Sequence, residues 1–174
     1  MEKIFFADKS ASISSTDAIK KILAQYYGIT QAKLNRTENG KPYLESPALP
    51  IFFSVTHTKK LLFIAVSDKN VGLDAELLNR EVAYESILRR FPEEDRKQIS
   101  TTQSFLCHWV IKESAIKWLG GTIAHDLDKL SYIEEKLYYK QAPLPVCITP
   151  RLFEGHVLAI CCEKDFSTAK FIPL

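Results

Sequence analysis

Apolar residues recur at helical spacing in two stretches of the chain. The first covers residues 18–27, where isoleucine, leucine and tyrosine side chains fall on one face behind a Ser-Ser-Thr-Asp segment that can cap a helix. The second covers residues 104–119, which are apolar nearly all round and are followed by two glycines. We predict a one-sided helix in the first stretch and a helix buried between layers in the second.

Shorter runs of apolar and β-branched residues predict strands. Three of them follow one another within residues 51–76, separated by short polar turns, and this spacing suggests an antiparallel meander. Further strands and two short helices are predicted on either side of the long helix and at the amino terminus. These strands lie at residues 4–7, 130–133, 137–140, 146–149, 156–162 and 169–172, and the short helices at 81–90 and just after Pro92.

The order of helix, strands, helix and further strands occurs in two rounds, and no flexible linker separates them. We therefore predict an α+β fold whose two halves, residues 1–72 and 73–174, pack on each other as one unit.

Composition narrows the class of protein. The chain has 174 residues, of which 46% are hydrophobic, and a net charge of +2, which is typical of one globular domain and not of a dedicated nucleic-acid binder. No apolar run approaches the roughly 18 residues of a membrane helix, and the amino terminus has no signal-peptide core. The four cysteines form no CxxC pair, so we expect free thiols and a cytoplasmic location.

Two acidic residues alternate along the third predicted strand of the meander. Asp74 and Glu76 would point to one face, about 6–7 Å apart at roughly 3.3 Å per residue, while their apolar neighbours point to the other. Both carboxylates can reach one ion, and an oxygen-only donor set favours Mg²⁺ over Zn²⁺. The alternative is a polar outer face at the edge of a sheet.

The long helix carries a second pair of charges. Glu113 and Lys117 are four residues apart and share a face with apolar side chains, where unpaired charges are costly. They either bind a ligand or form an ordinary surface ion pair.

His57 ends the first strand of the meander and lies between hydroxyl residues. An imidazole with neighbouring hydroxyl groups can bind a phosphate, although a lone histidine is often an ordinary surface or packed residue. Signature motifs of P-loop, dinucleotide, serine-hydrolase and zinc-protease sites are absent from the sequence.

Taken together and in order, four segments resemble the 4'-phosphopantetheinyl transferases, in particular the longer Sfp-like class. The segments are GKPYL at 40–44, FSVTHT at 53–58, VGLDAE at 71–76 and WVIKESAIKWLGG at 109–121. The last has the form W-x-x-K-E-[AS]-x-x-K-x-x-G, which is specific, and the resemblance extends over about residues 17–121.

The resemblance implies a Mg²⁺-dependent enzyme of the holo-[acyl-carrier-protein] synthase type. Members move 4'-phosphopantetheine from coenzyme A to a serine of an apo acyl or peptidyl carrier protein and release adenosine 3',5'-bisphosphate. The carrier could serve fatty-acid synthesis or secondary metabolism. The family fold has two halves related by a pseudo-twofold, each a helix on a small antiparallel sheet. Coenzyme A binds in the cleft between them, so a monomer is expected, without nucleic-acid or membrane partners.

The resemblance also assigns residues to roles. Asp74, Glu76 and Glu113 match the Mg²⁺ ligands, and Glu113 could instead remove the proton of the carrier serine. Lys117 matches the catalytic lysine near the pyrophosphate. The positions expected to contact the nucleotide part of coenzyme A are Lys20, Lys41, Thr56 and His57.

Two other classes of function stay open. The first is a module that binds a carrier protein or coenzyme A but has weak or no catalysis. The second is a different Mg²⁺-dependent enzyme that acts on a nucleotide pyrophosphate without any carrier.

Overall fold

A computed structural model describes residues 2–11 and 13–174, and the described residues form twelve strands and five α-helices. The strands are β1 (Lys3–Asp8), β2 (Lys33–Arg36), β3 (Pro42–Ser46), β4 (Phe52–His57), β5 (Leu61–Ser67), β6 (Val71–Leu77), β7 (Leu130–Ile133), β8 (Lys136–Tyr139), β9 (Ala142–Pro143), β10 (Cys147–Phe153), β11 (His156–Cys162) and β12 (Phe171–Pro173). The helices are α1 (Ser15–Tyr27), α2 (Glu85–Leu88), α3 (Glu93–Arg96), α4 (Thr102–Leu119) and α5 (Ile123–Asp126). The prediction of an α+β fold is confirmed.

Helix α1 begins and ends as its sequence predicts. The Ser14 hydroxyl accepts the backbone N–H of Asp17 at 3.0 Å, and Gly28 ends the helix with a φ of 69°, in the left-handed region that glycine adopts without strain. The apolar face of α1 packs on the first sheet. Its buried residues are Ala18, Ile19, Ile22 and Leu23.

The first sheet has the strand order β12–β1–β5–β4. Strand β5 is antiparallel to both of its neighbours, whereas β12 joins β1 in parallel. The last strand of the chain therefore completes the sheet that the first strand begins.

The second sheet has the order β10–β11–β6, and all of its pairs are antiparallel. The predicted meander is therefore wrong in its third strand, because β6 pairs with β11 and not with β5. The reason is that β1 and β4 already occupy both edges of β5. Strand β6 also spans the predicted boundary between residues 72 and 73. The division into halves and their pseudo-twofold relation stay predictions.

Helix α4 lies directly on β6 and β11 and is buried, as predicted. At its amino end, the Thr101 hydroxyl accepts the backbone N–H of Ser104 at 3.1 Å, and Ser104 returns the bond, which completes a capping box. The contact with β6 is close at Gly72, where a Cβ atom would lie 1.9 Å from the carbonyl oxygen of Ser114.

Several short elements differ from what the sequence pattern predicts. The chain around Asn39 connects the two strands of a hairpin, β2–β3, which are short and mostly polar or exposed. Helices were expected over residues 81–90 and after Pro92, but they comprise only α2 and α3. The remaining predicted strands are present with ends shifted by a few residues.

None of the helices in the described residues is both long and apolar enough to cross a lipid bilayer.

Candidate functional site

Strand β6 and helix α4 together place a charged cluster where the two sheets meet. Asp74 on β6 is 5% exposed, and its Oδ1 atom accepts two hydrogen bonds. One comes from Lys117 Nζ at 2.7 Å and the other from Thr56 Oγ1 on β4 at 2.8 Å. Three segments of the chain therefore meet at one buried carboxylate.

The ammonium group of Lys117 lies between two acids. Besides its bond to Asp74, Lys117 Nζ donates to the carbonyl of Leu73 at 3.1 Å and lies 4.0 Å from Glu113 Oε2. The side chain of Lys117 is 29% exposed and that of Glu113 is 17% exposed. This geometry differs from an isolated surface pair, because the lysine also joins the helix to the strand that carries Asp74.

The third acid, Glu76, has a cation of its own. Its Oε1 atom pairs with the guanidinium of Arg80, four residues further along the chain. Arg80 was not identified as a site residue by the sequence analysis. The signal that could have found it is electrostatic, because two like charges as close as those of Asp74 and Glu76 require a positive neighbour. Lys117 and Arg80 meet that requirement from two directions.

The three carboxylates influence one another electrostatically. Burial raises the pKa of Glu113 to about 7, and repulsion from Asp74 and from Glu76 adds to this shift. Lys117 and Arg80 act in the opposite direction. A further cation beside Glu113 would therefore stabilise the charged form of its carboxyl group.

The donor set fits a hard divalent cation. In the described part of the chain, no three histidine, cysteine or acidic side chains stand as a ready-made metal cluster. The carboxyl groups of Asp74 and Glu76 nevertheless act electrostatically on Glu113, and all three acids offer only oxygen atoms. Carboxylate oxygens are the ligands that Mg²⁺ prefers. These three residues are the ones that could hold it, and the ion stays a prediction.

A cavity of about 420 Å³ opens beside the cluster, and positive side chains line it. Lys117 contributes to its wall together with Arg36, Lys41 and His57. Lys41 Nζ donates to Asn70 Oδ1 at 2.6 Å and to the carbonyl of Lys117 at 2.9 Å, and burial lowers its pKa to about 8. The lining suits an anionic ligand.

The other residues predicted to contact the nucleotide lie in different places relative to this cavity. Thr56 also lines this cavity, but its hydroxyl points to Asp74. His57 is exposed and lines a second cleft of about 820 Å³ with Lys9 and Lys59. Lys20 lies apart, in a separate depression on α1, so the structure does not bring it together with the other predicted residues.

Sequence comparison finds curated proteins that resemble the chain. It is 28% identical over 156 residues to the 4'-phosphopantetheinyl transferase gsp of Aneurinibacillus migulanus, covering 82% of this chain and 64% of that protein. It is 28% identical over 127 residues to the 4'-phosphopantetheinyl transferase of Bacillus subtilis, covering 65% of this chain and 53% of that protein.

A third similar protein comes from Xenopus laevis. It is named L-aminoadipate-semialdehyde dehydrogenase-phosphopantetheinyl transferase and is 26% identical over 149 residues, covering 74% of this chain and 49% of that protein. The matched part thus spans about half to two thirds of the length of these relatives. No protein-family model matches the chain.

Proposed function

We propose that the chain, which is similar to curated 4'-phosphopantetheinyl transferases, is a member of that superfamily and transfers 4'-phosphopantetheine from coenzyme A to a serine of an apo acyl or peptidyl carrier protein. The released product is adenosine 3',5'-bisphosphate, as in enzymes of the holo-[acyl-carrier-protein] synthase type. One observation carries the proposal: Lys117 on α4 contacts both Asp74 on β6 and Glu113, Glu76 acts electrostatically on Glu113, and Lys117 also lines a cavity with other cations.

The cavity supports binding of the phosphate groups of coenzyme A. Four cationic or ionisable residues, Arg36, Lys41, His57 and Lys117, contribute to its lining. Lys117 also contacts Asp74, so phosphates held there lie next to the acidic cluster. Lys20 lines a separate depression, so this cavity gives no support to its predicted contact, which stays a prediction.

Asp74, Glu76 and Glu113 would hold the Mg²⁺ ion. When bound, Mg²⁺ supplies positive charge that neutralises the pyrophosphate oxygens as the leaving group departs. Lys117 adds a fixed positive charge to the same oxygens while its Nζ atom stays bonded to Oδ1 of Asp74.

The reaction forms one bond and breaks another at the phosphorus atom next to the pantetheine arm. The carrier serine oxygen attacks this atom in line, and the bond to the bridging oxygen of the bisphosphate breaks, so that oxygen leaves with the electron pair. The serine proton passes to Glu113, directly or through water, if Glu113 serves as the base. Its pKa of about 7 suits a proton acceptor near neutral pH. As an alternative role, Glu113 acts only as a metal ligand.

The proposal is tested with a panel of apo carrier proteins, coenzyme A and Mg²⁺, with the carriers weighed by mass spectrometry. We expect at least one carrier to gain one phosphopantetheine group. Asp74→Asn should lower kcat/KM by about 100-fold or more, because it removes a charge that the transition state requires. Asp128→Asn is the control, since Asp128 is exposed and belongs to neither cavity.

The proposal fails if no carrier gains mass while a reference transferase modifies the same panel. Coenzyme A binding without turnover would favour the binding module, and release of bisphosphate with the carrier omitted would favour the carrier-independent enzyme.

The proposed setting is a monomer in the cytoplasm. All four cysteines lie in the described residues and are free, which supports a reducing compartment. Both sheets and the charged cluster come from one chain, so the proposed reaction needs no second copy.

A further inference from the structure

Three hydroxyl residues alternate along β4 and its end: Ser54, Thr56 and Thr58. All three are buried, with exposures of 2%, 8% and 8%. Since side chains alternate along a strand, the three hydroxyls share one face, and His57 between Thr56 and Thr58 belongs to the other. His57 is exposed. We call the three hydroxyl residues the hydroxyl seam.

Each member of the seam makes a hydrogen bond to the second sheet. Ser54 Oγ accepts the backbone N–H of Leu73 on β6 at 2.9 Å. Thr56 Oγ1 donates to Asp74 Oδ1 at 2.8 Å. Thr58 Oγ1 lies 3.0 Å from Nε2 of His156, the first residue of β11.

The hydroxyl seam connects β4 to β6 through side chains, whereas neighbouring strands within a sheet are connected by backbone hydrogen bonds. Strands β4 and β6 are edges of different sheets, and no backbone pairing joins them in the described part of the chain. A buried edge amide without a partner is costly. Ser54 provides that partner for Leu73, whose carbonyl in turn accepts from Lys117 Nζ.

The third bond fixes the turn that follows β4. His156 is fully buried, its Nδ1 atom lies 3.0 Å from the carbonyl oxygen of Glu154, and its Nε2 atom lies 3.0 Å from the hydroxyl oxygen of Thr58. The Thr58 oxygen accepts the backbone N–H groups of Lys60 and Leu61 at 3.2 and 3.1 Å. One hydroxyl thus ties the turn to β11.

We propose that Ser54, Thr56 and Thr58 are positioning residues that fasten the first sheet to the second and hold the carboxylate of Asp74 in a fixed orientation. Their place in the motif FSVTHT then has a physical reason, since the hydroxyls serve the seam and leave His57 free to face a ligand. The connection between the two sheets is inferred from the hydrogen bonds of the three hydroxyl groups alone. The role of the Asp74 orientation in cation binding rests on the proposed function.

Hydrogen exchange measured by NMR tests the fastening on the protein without ligands. Ser54→Ala removes the acceptor of the Leu73 amide, and we expect this amide to exchange at least about 5-fold faster, as the loss of one hydrogen bond implies. Ser100→Ala is the matched control, because Ser100 is exposed and lies in none of the strands. Unchanged exchange at Leu73 in a folded Ser54→Ala protein overturns the fastening.

Binding of Mn²⁺, followed by electron paramagnetic resonance, tests the orientation of Asp74. Thr56→Val keeps the shape but removes the hydroxyl, and we expect the Mn²⁺ dissociation constant to rise about 5-fold or more. Thr56→Ser retains the hydroxyl and should restore binding, which a purely steric role of the threonine methyl group would not predict. Thr56→Ala is the second variant without a hydroxyl, in case the valine protein does not fold.

The two experiments separate two kinds of failure. If the unaltered protein binds no Mn²⁺, the metal site of the proposed function is wrong, while the exchange result at Leu73 still decides the fastening. If the unaltered protein and Thr56→Val bind Mn²⁺ equally well, the orienting role of Thr56 is wrong and the proposed function stands.

Discussion

Lys112 and Asp95 are both fully buried, and they pair beneath the long helix. Lys112 Nζ lies 3.1 Å from Asp95 Oδ2 and also donates to the carbonyl of Leu130. Asp95 Oδ1 accepts the backbone N–H of Tyr132 at 3.0 Å. Burial lowers the pKa of Lys112, although the charge of Asp95 opposes the shift. The pair holds α3 and β7 against α4, next to the helix residue Glu113.

We predict that Lys112→Met destabilises the protein by about 3–5 kcal/mol, because it leaves the buried charge of Asp95 without its partner. The double variant Lys112→Met/Asp95→Asn should recover much of this loss, since asparagine is neutral and still accepts from Tyr132. Urea unfolding measures both free energies. A double variant no more stable than the single one would contradict the explanation.

At the scale of elements, the site depends on how closely α4 approaches β6. A Cβ atom at position 72 would lie 1.9 Å from the carbonyl oxygen of Ser114 and 2.6 Å from the backbone nitrogen of Trp118. Both atoms belong to helix backbone, which cannot turn aside as a flexible side chain can. Only glycine at this position allows Glu113 and Lys117 to come within reach of Asp74.

We therefore predict that Gly72→Ala forces α4 away from β6 and costs about 3 kcal/mol or more in stability, as overpacking at a rigid contact does. Urea unfolding gives the stability, and the mass-spectrometric carrier assay gives the transfer rate, which should fall as well. Gly155→Ala is a control for the loss of a glycine, because a Cβ there meets no atom within 4 Å, although its φ of 74° adds local strain. Equal stability of Gly72→Ala and the unaltered protein would show that the helix can yield at this contact.

At the scale of the whole molecule, the carboxyl-terminal strand closes the first sheet. Strand β12 pairs with β1, the ring of Phe171 stacks on Phe153 with centroids 4.2 Å apart, and Arg151 lies over the Phe171 ring. The backbone N–H of Leu174 donates to the carbonyl of Phe6 at 2.9 Å. These contacts connect the last residues of the chain both to the first sheet and to β10 of the second.

Removing residues 171–174 should lower the melting temperature by at least about 5 °C, since each 1 kcal/mol corresponds to roughly 2–4 °C in a chain of this size. Replacing the same residues with Gly-Ser-Gly-Ser should have a similar effect, because side-chain packing and strand pairing matter and chain length does not. Calorimetry measures both. If the replaced chain melts at the original temperature, the strand does not stabilise the first sheet.

Features that depend on neighbouring residues could be predicted from the sequence. The capping of α1, the extent of β11 and the alternation of Asp74 with apolar neighbours are local, because helix and strand geometry repeats every few residues. The motif carrying Glu113 and Lys117 could be found in the same way, since four residues make one turn of a helix.

The contacts between distant segments could not be predicted in this way and became known from the three-dimensional fold. Which sheet β6 joins depends on which edges of β5 are already occupied, and no local pattern contains that information. The same holds for the hydroxyl of Thr56, which points to Asp74, for the burial of Lys112 against Asp95, and for the separation of Lys20 from the cavity. Contacts between residues far apart in the chain depend on the packing of whole elements, and that packing is a property of all the elements together.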